Sequence, residues 1–201
     1  MKKMSAAVAS HLIASANLKM KIAENEELLA VIAEVSQLCI TALKQGRKIM
    51  FAGNGGSAAD AQHLAAEFVS RFEQQRGPLP AMALTTDSSI LTAIANDYGV
   101  EHLFERQVYA HGQEGDILFL ISTSGSSGNI LKAVEAAKAC GVITVAMTAE
   151  QGVLRDLCHF SIEVPDDNTA RIQEAHISIG HVLCRLTEAA MAAEQRKGLE
   201  E

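Results

Sequence analysis

Apolar positions change period several times along the chain. Residues 5–22 carry them at helical spacing, and so do residues 26–45, where Leu28, Leu29, Ile32, Val35, Leu38, Cys39 and Leu43 mark one face. Gly46 supplies a stop. The period then shortens. Residues 48–53 are a short apolar run ending in glycines, which predicts a buried strand. Helical spacing returns over 57–72. A second strand is expected at 81–86, followed by helical segments at 88–95 and 100–110. Residues 116–122 give the clearest strand, 129–139 a helix, 142–148 a fourth strand and 160–165 a fifth. One long helix over 169–195 closes the chain.

Strands alternating with helices predict an α/β fold, a three-layer αβα sandwich around a five-stranded parallel sheet, preceded by N-terminal helices. The strands are apolar almost throughout, as expected when helices cover both faces. Ligands of such sheets bind beyond the carboxyl ends of the strands, so the loops after strands one and three are the ones to read.

Length and composition fit this picture. The 201 residues suffice for one domain with a sizeable core, and 48% of them are hydrophobic against 20% charged. A net charge of −7 argues against a general nucleic-acid binder. Cys39, Cys140, Cys158 and Cys184 form no CxxC pair and read as buried free thiols. The first residues have a basic end and an apolar middle. His11, Ser15 and Asn17 interrupt that middle, and the pattern continues as an amphipathic helix, so no signal peptide is expected. No apolar run reaches the ~20 residues a membrane span needs. A cytoplasmic protein is expected.

Two loops carry the chemistry. The first strand ends in Gly53-Asn54-Gly55-Gly56-Ser57, where glycines let backbone approach a ligand and Ser57 opens a helix able to hold an anion. Gly53, Gly55 and Ala58 also fit a dinucleotide G-x-G-x-x-A pattern, and a plain tight turn is a further reading. The third strand ends in a stretch from Ser122 to Asn129 that holds Ser122, Thr123, Ser124, Ser126 and Ser127. Hydroxyls just before a helix N-terminus favour a phosphate. A dinucleotide fold does not require this second loop, which shifts the balance toward a phosphosugar.

These two loops resemble the sugar isomerase (SIS) domain family, whose sheet is flavodoxin-like. Three further stretches narrow the resemblance to the phosphoheptose isomerases: Asp60-Ala-Gln-His63-Leu-Ala-Ala-Glu67, Ala95-Asn96-Asp97-Tyr-Gly, and Arg171-Ile-Gln173-Glu-Ala-His176 through His181. It covers about residues 25–195 in the family's order. The resemblance implies one SIS domain over 1–201, with residues 1–46 helping oligomerisation into a homotetramer. It implies conversion of sedoheptulose 7-phosphate to D-glycero-D-manno-heptose 7-phosphate, the first step toward ADP- or GDP-heptose for lipopolysaccharide or capsule. By position, Asn54, Gly55 and Gly56 match the family's substrate-binding turn, and Ser57, Ser122, Thr123, Ser124 and Ser127 its phosphate cradle. Asn96 and Asp97 match the loop that meets the sugar. Glu67 matches the catalytic carboxylate and His181 the catalytic imidazole. His63, Glu67, Gln173 and His181 match residues that hold one zinc ion per subunit, with Gln173 also touching substrate. Ala170 is a departure, since family members can carry an acid there.

Spacing adds an expectation of its own. His63 and Glu67 are four apart and share a helix face, which suits a ligand pair and equally a solvated face. Gln173 and His181 are eight apart, ~12 Å along an unbroken helix, so a neighbouring subunit is expected to supply one of them. His11, His102, His111 and His159 read as surface or turn residues, while His176 lies between Gln173 and Gly180 on the closing helix, where a supporting role is one reading and a plain helix residue the other. Arg71 reads equally as a surface charge or as a partner for substrate. Apolar stripes at 26–43 and 172–190 are expected to face other subunits. Three rivals share the fold: a non-catalytic SIS module that binds a replication initiator or other protein, a sugar-phosphate sensor, and an isomerase for another sugar phosphate. Glu67 argues against the binding module, and the lack of a basic helix-turn-helix in residues 1–45 against the sensor.

Overall fold

A computed structural model of the chain describes residues 1–197, with side chains through Glu194. Two helices lead in, α1 (Lys2–Glu24) and α2 (Glu26–Lys44). The second is capped by Asn25, whose side chain accepts the Leu28 N–H at 3.0 Å. Strand β1 (Ile49–Gly53) passes to α3 (Gly56–Val69), and β2 (Ala81–Ala83) to α4 (Ser88–Asp97), which Asp87 caps. A 3-10 turn at Val100–His102 and α5 (Glu105–His111) lead to β3 (Ile117–Ile121) and α6 (Gly128–Ala139). Strand β4 (Ile143–Ala149), a single turn α7 (Leu154–Leu157), β5 (Phe160–Val164) and α8 (Thr169–Lys197) complete the fold.

All five strands pair in parallel in the order β2-β1-β3-β4-β5. That is the flavodoxin-like doubly wound order, with its switch point between β1 and β3. Strand alternation builds two cores. Ile49, Phe51, Ile117, Phe119, Ile121, Val145 and Met147 meet α2, α3 and α8 on one face. Met50, Ala52, Leu118, Leu120 and Ala146 meet α5 and α6 on the other. A period of two inside an all-apolar run feeds both layers at once, which is why no polar alternation is visible.

Several expected boundaries move. The helix expected to 72 stops at Val69, because Ser70 leaves helical backbone and a loop through Gly77 follows. The second strand keeps only Ala81–Ala83, since it lies at the sheet edge and pairs with β1 alone. The 100–110 helix divides into a 3-10 turn and α5, and the turn α7 carries no pattern long enough to read. The stripes at 26–43 and 172–190 pack mainly inside the chain: Leu28, Ile32, Val35, Cys39, Ile172, Ala175, Ile179 and Leu183 all belong to the first core. Apolar surface is left open along α1, and Leu29, Val182 and Leu186 of the two stripes also remain exposed. The α1 residues through Ile13 are exposed, with Met4, Val8 and Leu12 along one side. Cys39 and Cys184 are buried as expected, whereas Cys140 and Cys158 are only partly covered.

Candidate active site

The turn after β1 is shaped by close approach. A Cβ on Gly53 would stand 2.5 Å from the Ser57 carbonyl oxygen, and Gly55 takes a φ of +56° at the start of α3. Ser57 is buried beneath the turn while Asn54, Gly55 and Gly56 are open. Asn54 exchanges two side-chain amide hydrogen bonds, both 2.9 Å, with Asn129 in the first turn of α6. That pair ties the two loops together at the switch point. Asn129 was visible in the serine-rich stretch but carried no role there.

The loop after β3 concentrates hydroxyls. Ser122 Oγ lies 3.3 Å from Ser127 Oγ, and the Ser126 N–H and hydroxyl donate to Ser124 Oγ at 3.4 and 3.2 Å. Ser127 is the N-cap of α6, yet its side chain makes no capping bond. Its hydroxyl and the first-turn amides of α6 are the groups a helix start offers to an anion. Gly125 (φ +60°) lets the loop press on the next one, since a Cβ there would meet the Gln151 carbonyl at 2.7 Å. Thr123 and Ser124 line a cavity of about 240 Å³ with Gln151, Asp166 and Thr169. Asp166 is committed to Arg171 through two bonds of 2.7 and 2.6 Å, and these hold its carboxyl down to about 2.

A second group forms where α3 and α8 run side by side. The His63 and His181 Nε2 atoms are 2.9 Å apart, and Glu67 Oε1 is 3.4 Å from His63 Nε2. One ring nitrogen must present a proton and the other a lone pair for that contact. The Phe72 ring stands 5.3 Å from the His181 ring, centroid to centroid. The close approach depends on Gly180, where a Cβ would come within 2.6 Å of a Leu64 methyl. Gln173 does not join the group. It lies over the start of α3, where its Nε2 is 2.6 Å from the place a Gly56 Cβ would occupy. Gly56 and His63 are seven residues apart, ~10 Å along α3. Asn96 and Asp97 are exposed at the end of α4, joined by a 2.7 Å bond from Asn96 to the Asp97 carboxylate.

Groups around these centres are tuned by burial. His176 is fully buried on α8, 3.3 Å from the Thr148 carbonyl, with Nδ1 unpartnered. Burial drives its pKa down to about 4. Burial pushes the Asp60 carboxyl on α3 up to about 6 against the pull of His63, and Asp60 Oδ2 is buried without a partner. At the far end of the helix pair Glu188 accepts the backbone N–H groups of Phe72, Glu73 and Gln74 at 2.7, 2.7 and 2.8 Å. Burial raises the Glu188 carboxyl, but those three donors and Arg76 together hold it below the usual carboxylate range. Neither Arg76 nor Glu188 carried a signal in the sequence, being 112 positions apart without a motif.

Two imidazole nitrogens and a carboxylate oxygen are the donor set zinc prefers, and donors on one tetrahedral zinc sit ~3.3 Å apart. The 2.9 and 3.4 Å separations at His63 fit that chemistry. Among the described residues, however, no three His, Cys, Asp or Glu side chains form a group able to hold a metal ion, so the donors of one chain alone do not complete a zinc site.

The SIS domain family model matches residues 12–149. A phosphoheptose isomerase of Aneurinibacillus thermoaerophilus is 55% identical over 185 residues, 92% of this chain and 93% of that one. Phosphoheptose isomerase 2 of Campylobacter jejuni is 49% identical over 94% of each chain. The solved phosphoheptose isomerase of Neisseria gonorrhoeae superposes with a TM-score of 0.87 at 39% identity, covering 92% of this chain and 99% of its own. With hydroxyls beyond β3 and two histidines and a glutamate gathered between α3 and α8, the chain belongs to the phosphoheptose isomerase family of SIS-domain enzymes.

Proposed function

We propose that the chain interconverts sedoheptulose 7-phosphate and D-glycero-D-manno-heptose 7-phosphate. The meeting of Glu67, His63 and His181 carries this reading, because an aldose–ketose isomerase needs a base and an acid in one place. Ser57, Ser122, Thr123, Ser124 and Ser127, with the first amides of α6, hold the phosphate. Asn54, Gly55, Gly56, Asn96, Asp97 and Gln173 contact the sugar. The Glu67 carboxylate removes the proton from C1 of the ketose and returns it to C2 through an enediol(ate). His181 donates to the carbonyl oxygen and takes up the proton of the neighbouring hydroxyl. His63, Glu67, Gln173 and His181 are the residues that would hold zinc, which supplies a Lewis acid for the carbonyl when bound.

Ser57 and Glu67 are ten residues apart on α3, ~15 Å, longer than is comfortable for one seven-carbon substrate. Gln173 and His181 are similarly spread along α8. A site assembled between subunits resolves both, and we propose a homotetramer in which residues 1–46 help the contact. The open apolar side of α1 supports it. The cytoplasm, at the head of ADP- or GDP-heptose supply for lipopolysaccharide or capsule, is the expected place. The test is turnover of sedoheptulose 7-phosphate by the parent and by Glu67→Gln, each with and without added zinc. The parent is expected to form the aldoheptose phosphate, and Glu67→Gln to lose ~10²–10⁴-fold in kcat. A folded, zinc-supplemented parent without turnover would sink the reading.

A further inference from the structure

The α3–α8 junction ends in a buried ion pair that no step of the reaction uses. The side chains of Arg76 and Glu188 are each 1% exposed, and Arg76 Nε lies 3.2 Å from Glu188 Oε1. The contact is ionic rather than an aligned hydrogen bond, for Nε has no hydrogen-bond partner. The rest of the guanidinium faces α3. Nη2 donates to the Glu67 carbonyl at 2.8 Å, and Nη1 to those of Phe68, Ser70 and Gly77 at 2.8, 3.3 and 3.0 Å. The last carbonyls of a helix lack partners of their own, so a planar fork of donors is well matched to them.

Glu188 completes the device from the other helix. It lies seven residues beyond His181 on α8 and grips the loop after α3 by the N–H groups of Phe72, Glu73 and Gln74. Phe72 in turn sets its ring against His181. One side of the pair therefore holds the backbone of Glu67, and the other holds the residue that packs on His181. A buried ion pair gives little net stability over apolar replacements, but it admits few alternative arrangements.

From this geometry we infer that Arg76 and Glu188 are positioning residues for the acid–base group, fixing Glu67 relative to His181 across the α3–α8 junction. The inference rests on the proposed roles of Glu67 and His181. The variants are Glu188→Gln, which keeps shape but loses charge, and Arg76→Lys, which keeps charge but loses the fork. Each folded variant is assayed with sedoheptulose 7-phosphate, and the His181 ring resonances are followed by NMR. Expected are a kcat lower by ~10–100-fold, as misplacement of reacting groups produces, and an unchanged KM. The His181 signals should shift while the amides of Ser122–Ser127 stay in place.

Parental kcat together with unshifted His181 signals in a folded variant would overturn the inference, as would a rise in KM alone. Should single variants not fold, Arg76→Met with Glu188→Leu leaves no charge unpartnered and is read the same way. If that chain also fails to fold, the pair is a folding element and the inference falls. A parent without turnover would sink the functional reading instead, and the His181 resonances would still decide whether the pair positions that ring.

Discussion

The hydroxyl loop beyond β3 and the proposed acid–base group between α3 and α8 are built in opposite ways. The loop draws its groups from six consecutive residues, Ser122 to Ser127, at the end of one strand. The anion-binding role proposed for it would be a local property of hydroxyls, turn amides and a helix start. The acid–base group joins His63 to a residue 118 positions later. Beyond the i, i+4 pair of His63 and Glu67, nothing local creates it. It exists because α3 and α8 lie close, which requires Gly180 against Leu64 and the tie at the far end of both helices. Binding should tolerate disturbance at a distance, whereas proton transfer should not.

The sharpest way to break this contrast is Gly180→Val. Its Cβ would enter the space of a Leu64 methyl at 2.6 Å, and Leu64 is itself packed at 1% exposure, so either that side chain is displaced into the core or the helices part. Overpacking costs ~1–3 kcal/mol, and kcat is expected to fall ~100-fold while inorganic phosphate still binds. Calorimetry with phosphate and steady-state kinetics read the two halves separately, and loss of both together would mean the regions are not independent. Next in size are Thr123→Ala and Ser127→Ala. A hydroxyl bound to a charged group contributes ~1.5 kcal/mol at the low end, as suits an open loop, so KM should rise about tenfold with kcat within about twofold of the parent. A collapse of kcat there would place the loop in the chemistry itself.

The smallest effect on turnover, and a distinct one on stability, is expected from His176→Gln. The folded His176 titrates at about 4, below its ordinary 6.5, so between those values the unfolded chain binds the extra proton. Stability therefore drops as pH falls through that window, by about 2 kcal/mol between pH 7 and pH 5. Asp60, with its folded carboxyl raised to about 6, works in the opposite direction over the same range. Urea melts of parent and variant at both pH values isolate the histidine: the variant should lose about 2 kcal/mol less on acidification, with kcat at pH 7 unchanged. An equal loss in both chains would show that His176 takes up its proton in the fold as readily as in the unfolded chain.

The same contrast explains what could be read from the residues in order. The strand runs, the glycine turn at Gly53–Gly56 and the serine stretch are all contiguous, and each emerged close to its final place. The boundaries that shifted were set by partners elsewhere. Val69 ends α3 because the following loop is gripped by Glu188, and β2 is short because it has one neighbour. The i, i+4 pair His63 and Glu67 was legible, and so was the separation of Gln173 from His181. That His181, not Gln173, would meet His63 depends on the parallel setting of α3 and α8, which no local pattern encodes. Arg76 and Glu188 were invisible for the same reason, looking like ordinary surface charges until the fold closed over them.

The open run at the start of α1 has a consequence for the whole molecule. Through Ile13 that helix is exposed along every side, although Met4, Val8 and Leu12 line one of them. Helices of about a dozen residues are marginal in water without a packing partner. If the proposed subunit contact is what covers it, its order should obey mass action. On dilution the far-UV signal of the first three turns should fade while the sheet stays intact, so that helix content becomes a gauge of protein concentration.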